Sequence, residues 1–458
     1  MTAVDRIELP AVGPDPSFPL PSFRRATLAN GMRLWAGEHR RSPVLSLILL
    51  IPSGAADDPP DQFGLAALTA DLLDEGSRDR SAVEIHEALT RIGGRLDTQV
   101  SSDATVLSLT TLARHAQAGL ALLAGIASKP RFDSTEFDRI RDLRLSRLLQ
   151  MRQVPSAVAD RAFLECLYGS HPYGHLGIGS EASLRALGVG DVADFHRRCY
   201  APARWALIAV GDLPGAQLVD EVEATFGVLA NDNELSEVAG TSSVMRAAPP
   251  ARARLVFVSR AGAVQSEIRL GHVGVPRRSP DYHPLLVLNT VLGGQFVSRI
   301  NLNLREAKGY TYGARTDFDW RIGRGPFTVC ASVQTSATAD AIREVVHEIV
   351  DIRSRRPVTD AELDVGRAAL TRSFPRHFET AAHLAHAGLR LALYDLPDDT
   401  FAEFVPRITA IDAADVTRVA TDHLRPDDLI AVVVGSHPDV FDSLAGCGFG
   451  EPVEPLID

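Results

Sequence analysis

Hydrophobic and polar positions along this chain fall into blocks that come round twice. The first block opens with the uniformly apolar run "PVLSLILLIPSG" from Pro43, which fits a buried strand. "GLAALTADLLDEGS", Gly64 to Ser77, follows with Leu65, Leu68 and Leu72 spaced for one face of an amphipathic helix. "RLDTQVSSDATVLSLTTL", from Arg95, then switches to the period-two alternation of antiparallel strands. The second block repeats the order: strand "SEIRLGHVGVP", helix "YHPLLVLNTVL", alternating "RGPFTVCASVQT" and the long helical "AIREVVHEIVDIRS".

The ends of the two blocks also match. "GDVADFHRRCYAPARWALIAVGD" begins at Gly190 and "ADVTRVATDHLRPDDLIAVVVGS" at Ala414, an offset of 414 − 190 = 224. In that register Asp191 meets Asp415, Val192 meets Val416, Pro202 meets Pro426, Val210 meets Val434 and Gly211 meets Gly435. Both segments read as a helix, a proline stop and an apolar strand ending in glycine, which implies an internal duplication. Strands and helices segregate instead of alternating. The expected class is therefore α+β, with two homologous halves, each a mainly antiparallel sheet with helices packed on it. The expected boundaries are an N-terminal extension 1–22, a first half 23–230, a polar linker 231–253, a second half 254–445 and a tail 446–458. The linker, rich in Asn, Ser, Gly and Pro, would permit a hinge between the halves.

Charge narrows the function classes. The 458 residues carry 47 Lys and Arg against 58 Asp and Glu, a net charge of −11, which disfavours nonspecific binding to nucleic acid or anionic lipid. The longest apolar run near the N-terminus is too short to span a bilayer, and the N-terminus has no apolar signal core, so neither membrane insertion nor secretion is expected. A cytoplasmic location follows, with the periplasm as the alternative if a leader was removed. Cys166, Cys199, Cys330 and Cys447 are widely separated and read as reduced, mostly buried thiols.

Motifs for common chemistries are absent: the chain has no phosphate-binding G-x-x-x-x-G-K-[ST] and no G-x-S-x-G elbow. In "HPYGH", His171 and His175 have the spacing of a helical metal pair, but Pro172 and Gly174 make it a loop. In "HFETAAHLAHAG", His383 and His386 share a helical face near His377 without a carboxylate at ligand spacing. That segment reads as a solvated or packed helix face, with a relocated metal site as the alternative.

"GLAALTADLLDEGS", "GGQFVSRINLNLREAKGYTYGA" (Gly293 to Ala314) and "YGSHPYGHLGIGSEASLRAL" together resemble the M16 (pitrilysin-like) peptidases, in the two-domain form. The likeness runs from about Phe23 to Asp439. It implies an inverted zinc motif, H-x-x-E-H, whose histidines hold the metal and whose glutamate activates water, with a third ligand some 75 residues later. In register, those positions are Ala67, Ala70 and Asp71, and counting 76 residues onward reaches Arg147. Neither alanine coordinates zinc or moves a proton, and a hydrolytic zinc needs about three protein ligands.

The second half departs less. The resemblance assigns an arginine and a tyrosine seven residues later to substrate and oxyanion binding across the chamber, and Arg305 and Tyr312 have that spacing. The implied role is a non-catalytic subunit with no cofactor of its own. It would pair with a homologous H-x-x-E-H subunit that carries the zinc, bind extended peptide and lend Arg305 and Tyr312. The rival is a structural scaffold, like the respiratory-complex core subunits that share this fold.

Overall fold

The computed structural model describes residues 13, 18, 20, 22–78, 80–230, 244–245, 254–437 and 440–454. The extension 1–22 and the linker 231–253 lie largely outside the described residues, as do the last four residues of the tail.

In the first half the strands are β1 (Arg24–Thr27), β2 (Arg33–Glu38), β3 (Val44–Ile51), a two-stranded hairpin of β4 (Gly76–Ser77) and β5 (Arg80–Ser81), β6 (Arg95–Val100), β7 (Thr105–Leu112) and β8 (Ala206–Gly211). The second half has β9 (Leu255–Ser259), β10 (Gln265–Val273), β11 (Thr311–Phe318), β12 (Pro326–Gln334) and β13 (Ile430–Gly435). The two large sheets have the orders β1-β2-β8-β3-β7-β6 and β11-β12-β10-β13-β9. Reversing the second order superposes β9 on β2, β13 on β8, β10 on β3, β12 on β7 and β11 on β6. The duplication is exact in register where the sequence repeat fell, since 206 + 224 = 430 and 211 + 224 = 435 carry β8 onto β13. Each sheet also holds one parallel pair, β2 with β8 and β9 with β13, while the remaining pairs are antiparallel.

The central strands are buried on both faces, which is why they read as continuous apolar runs. In the first sheet, Leu45, Leu47, Leu49, Leu207 and Ala209 pack on helices of their own half. The alternate residues Ile48, Leu50, Ala206, Ile208 and Val210 point the other way, onto Phe374, Phe378 and the helix Ala381–Leu393, all from the second half. The second sheet repeats the scheme in reverse. Leu255, Phe257, Ile268, Leu270 and Val433 face their own helices, while Val256, Ile430 and Val432 meet Phe163, Leu167 and Tyr168 of the helix Pro155–Tyr168, from the first half. The halves thus exchange helices.

A hairpin clasp completes the join. The β11–β12 turn brings Ile322 N to Asp103 Oδ2 (2.8 Å) and Gly323 N to the Tyr173 hydroxyl (3.0 Å), while that hydroxyl donates to Asp103 Oδ1 (2.5 Å). Tyr168 donates to Arg324 O at 2.7 Å, and the Arg321 guanidinium lies 4.6 Å from the Tyr173 ring. Burial pushes the Asp103 carboxyl up, against the donors from Tyr173 and Ile322. Val244 is buried in the same cluster. Among the described residues no helix is long and apolar enough to cross a membrane.

Gly388 sets the approach of the exchanged helix Ala381–Leu393, because a Cβ there would stand 2.8 Å from Ile208 Cγ2 and 3.1 Å from the Phe23 ring. Gly388→Val is expected to destabilise the protein by about 1–3 kcal/mol through overpacking. Gly190→Ala, on a helix with open space around its Cβ position, is the control and leaves the melting temperature unchanged or raised.

Buried histidines make stability depend on pH. Burial pulls His196 and His272 down to about 4. His272 uses both ring nitrogens in its neutral form, Nδ1 toward Val273 O and Nε2 accepting from Arg425 N. Between about 6.5 and 4 the unfolded chain binds protons that the folded chain refuses, so stability present above 6.5 is lost as pH falls through that window. Urea-unfolding midpoints at pH 7.5 and 5 are expected to fall accordingly, and His272→Gln to flatten the dependence.

Candidate functional site

The helix Leu65–Asp71 is held from its N-terminus. Gly64 adopts φ 98°, and a Cβ there would meet Gly179 Cα at 2.9 Å. The buried Asp58 carboxylate accepts from Gly64 N and Ala66 N, both at 2.7 Å, placing an anion at the positive helix end. His175 Nε2 lies 3.1 Å from the same carboxylate and its ring stacks on Phe63 at 4.2 Å. His171 and His175 sit in a loop, where His171 Nδ1 accepts from Tyr173 N. His175 thereby belongs to the frame of the helix.

The face that the motif register marks for metal carries the Ala67 and Ala70 methyl groups, both buried. Asp71, at the end of this helix, pairs with Arg144 of the helix Ser134–Met151: Nη1 to Oδ2 is 2.6 Å, and Nη2 donates to Gly177 O at 3.0 Å. Arg144 is 5% exposed. Arg147, reached by counting, lies on the exposed side of the same helix, and the residue that faces Asp71 is Arg144, one turn earlier and 73 positions from Asp71. A fixed guanidinium therefore stands against Asp71, and an added cation would meet its repulsion. Among the described residues no three His, Cys, Asp or Glu side chains gather to hold a metal ion. His377, His383 and His386 are exposed, and His386 Nδ1 turns back to Ala382 O.

In the second half, Gly293 N and Gly294 N both bond Asn289 O, turning the chain out of the helix Tyr282–Leu292. Asn301 ties this turn to β11, donating to Phe296 O (2.7 Å) and accepting from Ala314 N (3.0 Å). Arg299 is structural: it forks onto Glu362 at 2.7 and 2.8 Å and reaches Pro357 O. That fork pulls the Glu362 carboxyl down to about 2. Arg305 lies in a π-helical turn, Leu302–Ala307, with its guanidinium 4.0 Å above the Phe296 ring and 3.1 Å from Glu306.

β11 is an edge strand whose pairing to β12 slips between Thr311 and Ala314. This bulge turns Tyr312 outward, leaving it 92% exposed. Phe296 and Tyr312 line one cavity of about 620 Å³, with Ser156 of the first half and Glu267, Arg269, Arg315 and Cys330 of the second. Arg305 and Tyr312 are thus brought to one surface through Phe296, which the sequence reading did not single out. Arg315 also went unremarked, although the polar alternation of β11 marks it.

Two family models match the chain: Insulinase (Peptidase family M16) over residues 36–176 and Peptidase M16 inactive domain over residues 186–370. The chain belongs to the M16 peptidase family, and it has neither the histidines nor the glutamate of that family's zinc motif. An uncharacterized zinc protease of Mycobacterium tuberculosis is 28% identical over 350 residues, 76% of this chain and 78% of that protein. A non-peptidase homolog of Helicobacter pylori is 20% identical, over 87% of this chain and 90% of its own length. The crystal structure of a peptidase M16 inactive domain from Pseudomonas fluorescens superposes with a TM-score of 0.83 at 23% identity, covering 91% of this chain and 98% of that one.

The intact helix frame makes a direct test available. The quadruple variant A67H/A70E/D71H/R144E restores the ligand and base residue types and removes the competing guanidinium. It is expected to purify with one zinc per chain by metal analysis, whereas A67H/A70E/D71H with Arg144 kept is expected to carry none.

Proposed function

We propose that this chain is the non-catalytic subunit of a heterodimeric M16 zinc peptidase. Its partner carries H-x-x-E-H and the zinc, and this chain binds extended peptide and presents Arg305 and Tyr312 to the reacting carbonyl. The observation that carries the reading is an asymmetry between halves. The metal face of the first half is filled by alanine methyls and closed by the Asp71–Arg144 pair, while the second half keeps an exposed tyrosine and a stacked arginine beside an open cavity. The non-peptidase naming of the Helicobacter relative is consistent with this reading. A phenol and a guanidinium supply fixed donors to a developing oxyanion, and an extended peptide would lie in the cavity beside the β11 edge, whose Ala314 N and Thr316 N are already bonded to Asn301 Oδ1 and Gly293 O.

The test is reconstitution with an M16 partner that carries H-x-x-E-H. Arg305→Ala and Tyr312→Phe are each expected to lower kcat/KM of the pair by on the order of 10²–10³, with the complex unchanged on size exclusion. A scaffold role is indicated instead if both variants keep full activity. Zinc-dependent hydrolysis by the isolated wild-type chain would sink the proposal.

A further inference from the structure

The cavity beside Tyr312 has a charge pattern that selects among peptides. Three of its lining residues are charged: Glu267, Arg269 and Arg315. Glu267 is already engaged, pairing with Arg269 at 3.1 Å and accepting from Ser332. Arg269 is buried and satisfied, with Asp160 at 2.6 Å and Ser156 O at 3.2 Å. Cys330, directly across from Arg269 in the β10–β12 pairing, adds no negative charge at neutral pH, because burial raises its thiol. Arg315 is different: it is exposed, and no carboxylate among the described residues pairs with it. Asp317, two residues further along β11, feels the Arg315 charge, but it forms no ion pair with it and does not line the cavity. Phe296 and Tyr312 supply aromatic walls next to this exposed guanidinium.

We propose that this cavity selects peptides bearing a carboxylate side chain beside a large apolar residue. The carboxylate engages Arg315, whose planar fork matches it, and the apolar side chain packs on Phe296 and Tyr312. The inference rests on the peptide-binding reading above and adds the class of peptide. The net charge of −11 gives no long-range attraction for such a ligand, so the preference arises at short range inside the cavity.

Fluorescence anisotropy on the full-length chain tests it, with two fluorescein-labelled decapeptides that are identical except that Leu-Phe is followed by Glu-Glu in one and Lys-Lys in the other. The Glu peptide is expected to bind about tenfold more tightly. Arg315→Ala erases the difference and Arg315→Glu reverses it. Circular dichroism confirms that these surface variants are folded. Equal binding of both peptides to the wild type, or an acidic preference that survives Arg315→Glu, overturns the proposal and leaves peptide binding standing. Failure of both peptides to bind overturns this proposal and the peptide-binding role together.

Discussion

The central strands of each sheet are apolar on both faces, and each half leaves one of those faces to the other half to cover. Everything else follows from that shortage. Leu45, Leu47 and Leu49 are covered at home, while Ile48, Leu50 and Ile208 wait for a helix that arrives more than 300 residues later in the chain from Val44, at Ala381–Leu393. The second sheet has the same need and meets it with Pro155–Tyr168. Neither half is therefore a free-standing unit, despite its own sheet and helices. A hinge of the kind a polar linker suggests would have to part Ile208 from Gly388 and Val432 from the Phe163 side of the join.

This interlock also places the candidate site. The helix that follows Arg144 in the chain is the exchanged helix Pro155–Tyr168, and Ser156 and Asp160 on it reach the cavity and its buried Arg269. Arg144, which faces Asp71, and Ser156, which lines the cavity, thus lie on consecutive helices of the chain. Arg260 donates to Arg152 O between the two helices. The chemistry of the Asp71–Arg144 pair and that of the cavity differ in kind. At the first, opposite charges have closed on each other, and at the second Arg315 and Tyr312 are exposed to solvent.

Much of the fold was legible in the sequence because periodicity reports burial. Period two identified β7 and β12, continuous apolar runs identified β3, β8 and β13, and the 224-residue offset located the duplicated strands. The helix exchange was not legible, since an apolar residue on a strand does not say whose helix covers it. The parallel pairs β2–β8 and β9–β13 were hidden for the same reason. At the site, Ala67, Ala70 and Asp71 came directly from the motif register. Arg144 did not, because a count across some 75 residues is uncertain by a helical turn, and one turn decides whether an arginine faces solvent or Asp71. Tyr312 was singled out by the family resemblance, seven residues after Arg305, but its exposure depends on a bulge between Thr311 and Ala314 of which Gly313 is the residue-type hint.

The Asp71–Arg144 pair also bears on how such a chain changes over time. Asp71→His alone would leave a nearly buried guanidinium facing an imidazole with no anion, and Arg144→Glu alone would set two carboxylates against each other. Each single step back toward a metal site passes through an unbalanced charge in a confined space, so neither is neutral. The pair thereby acts as a ratchet, resisting each single substitution toward a metal site whatever the packing of the helix would otherwise allow.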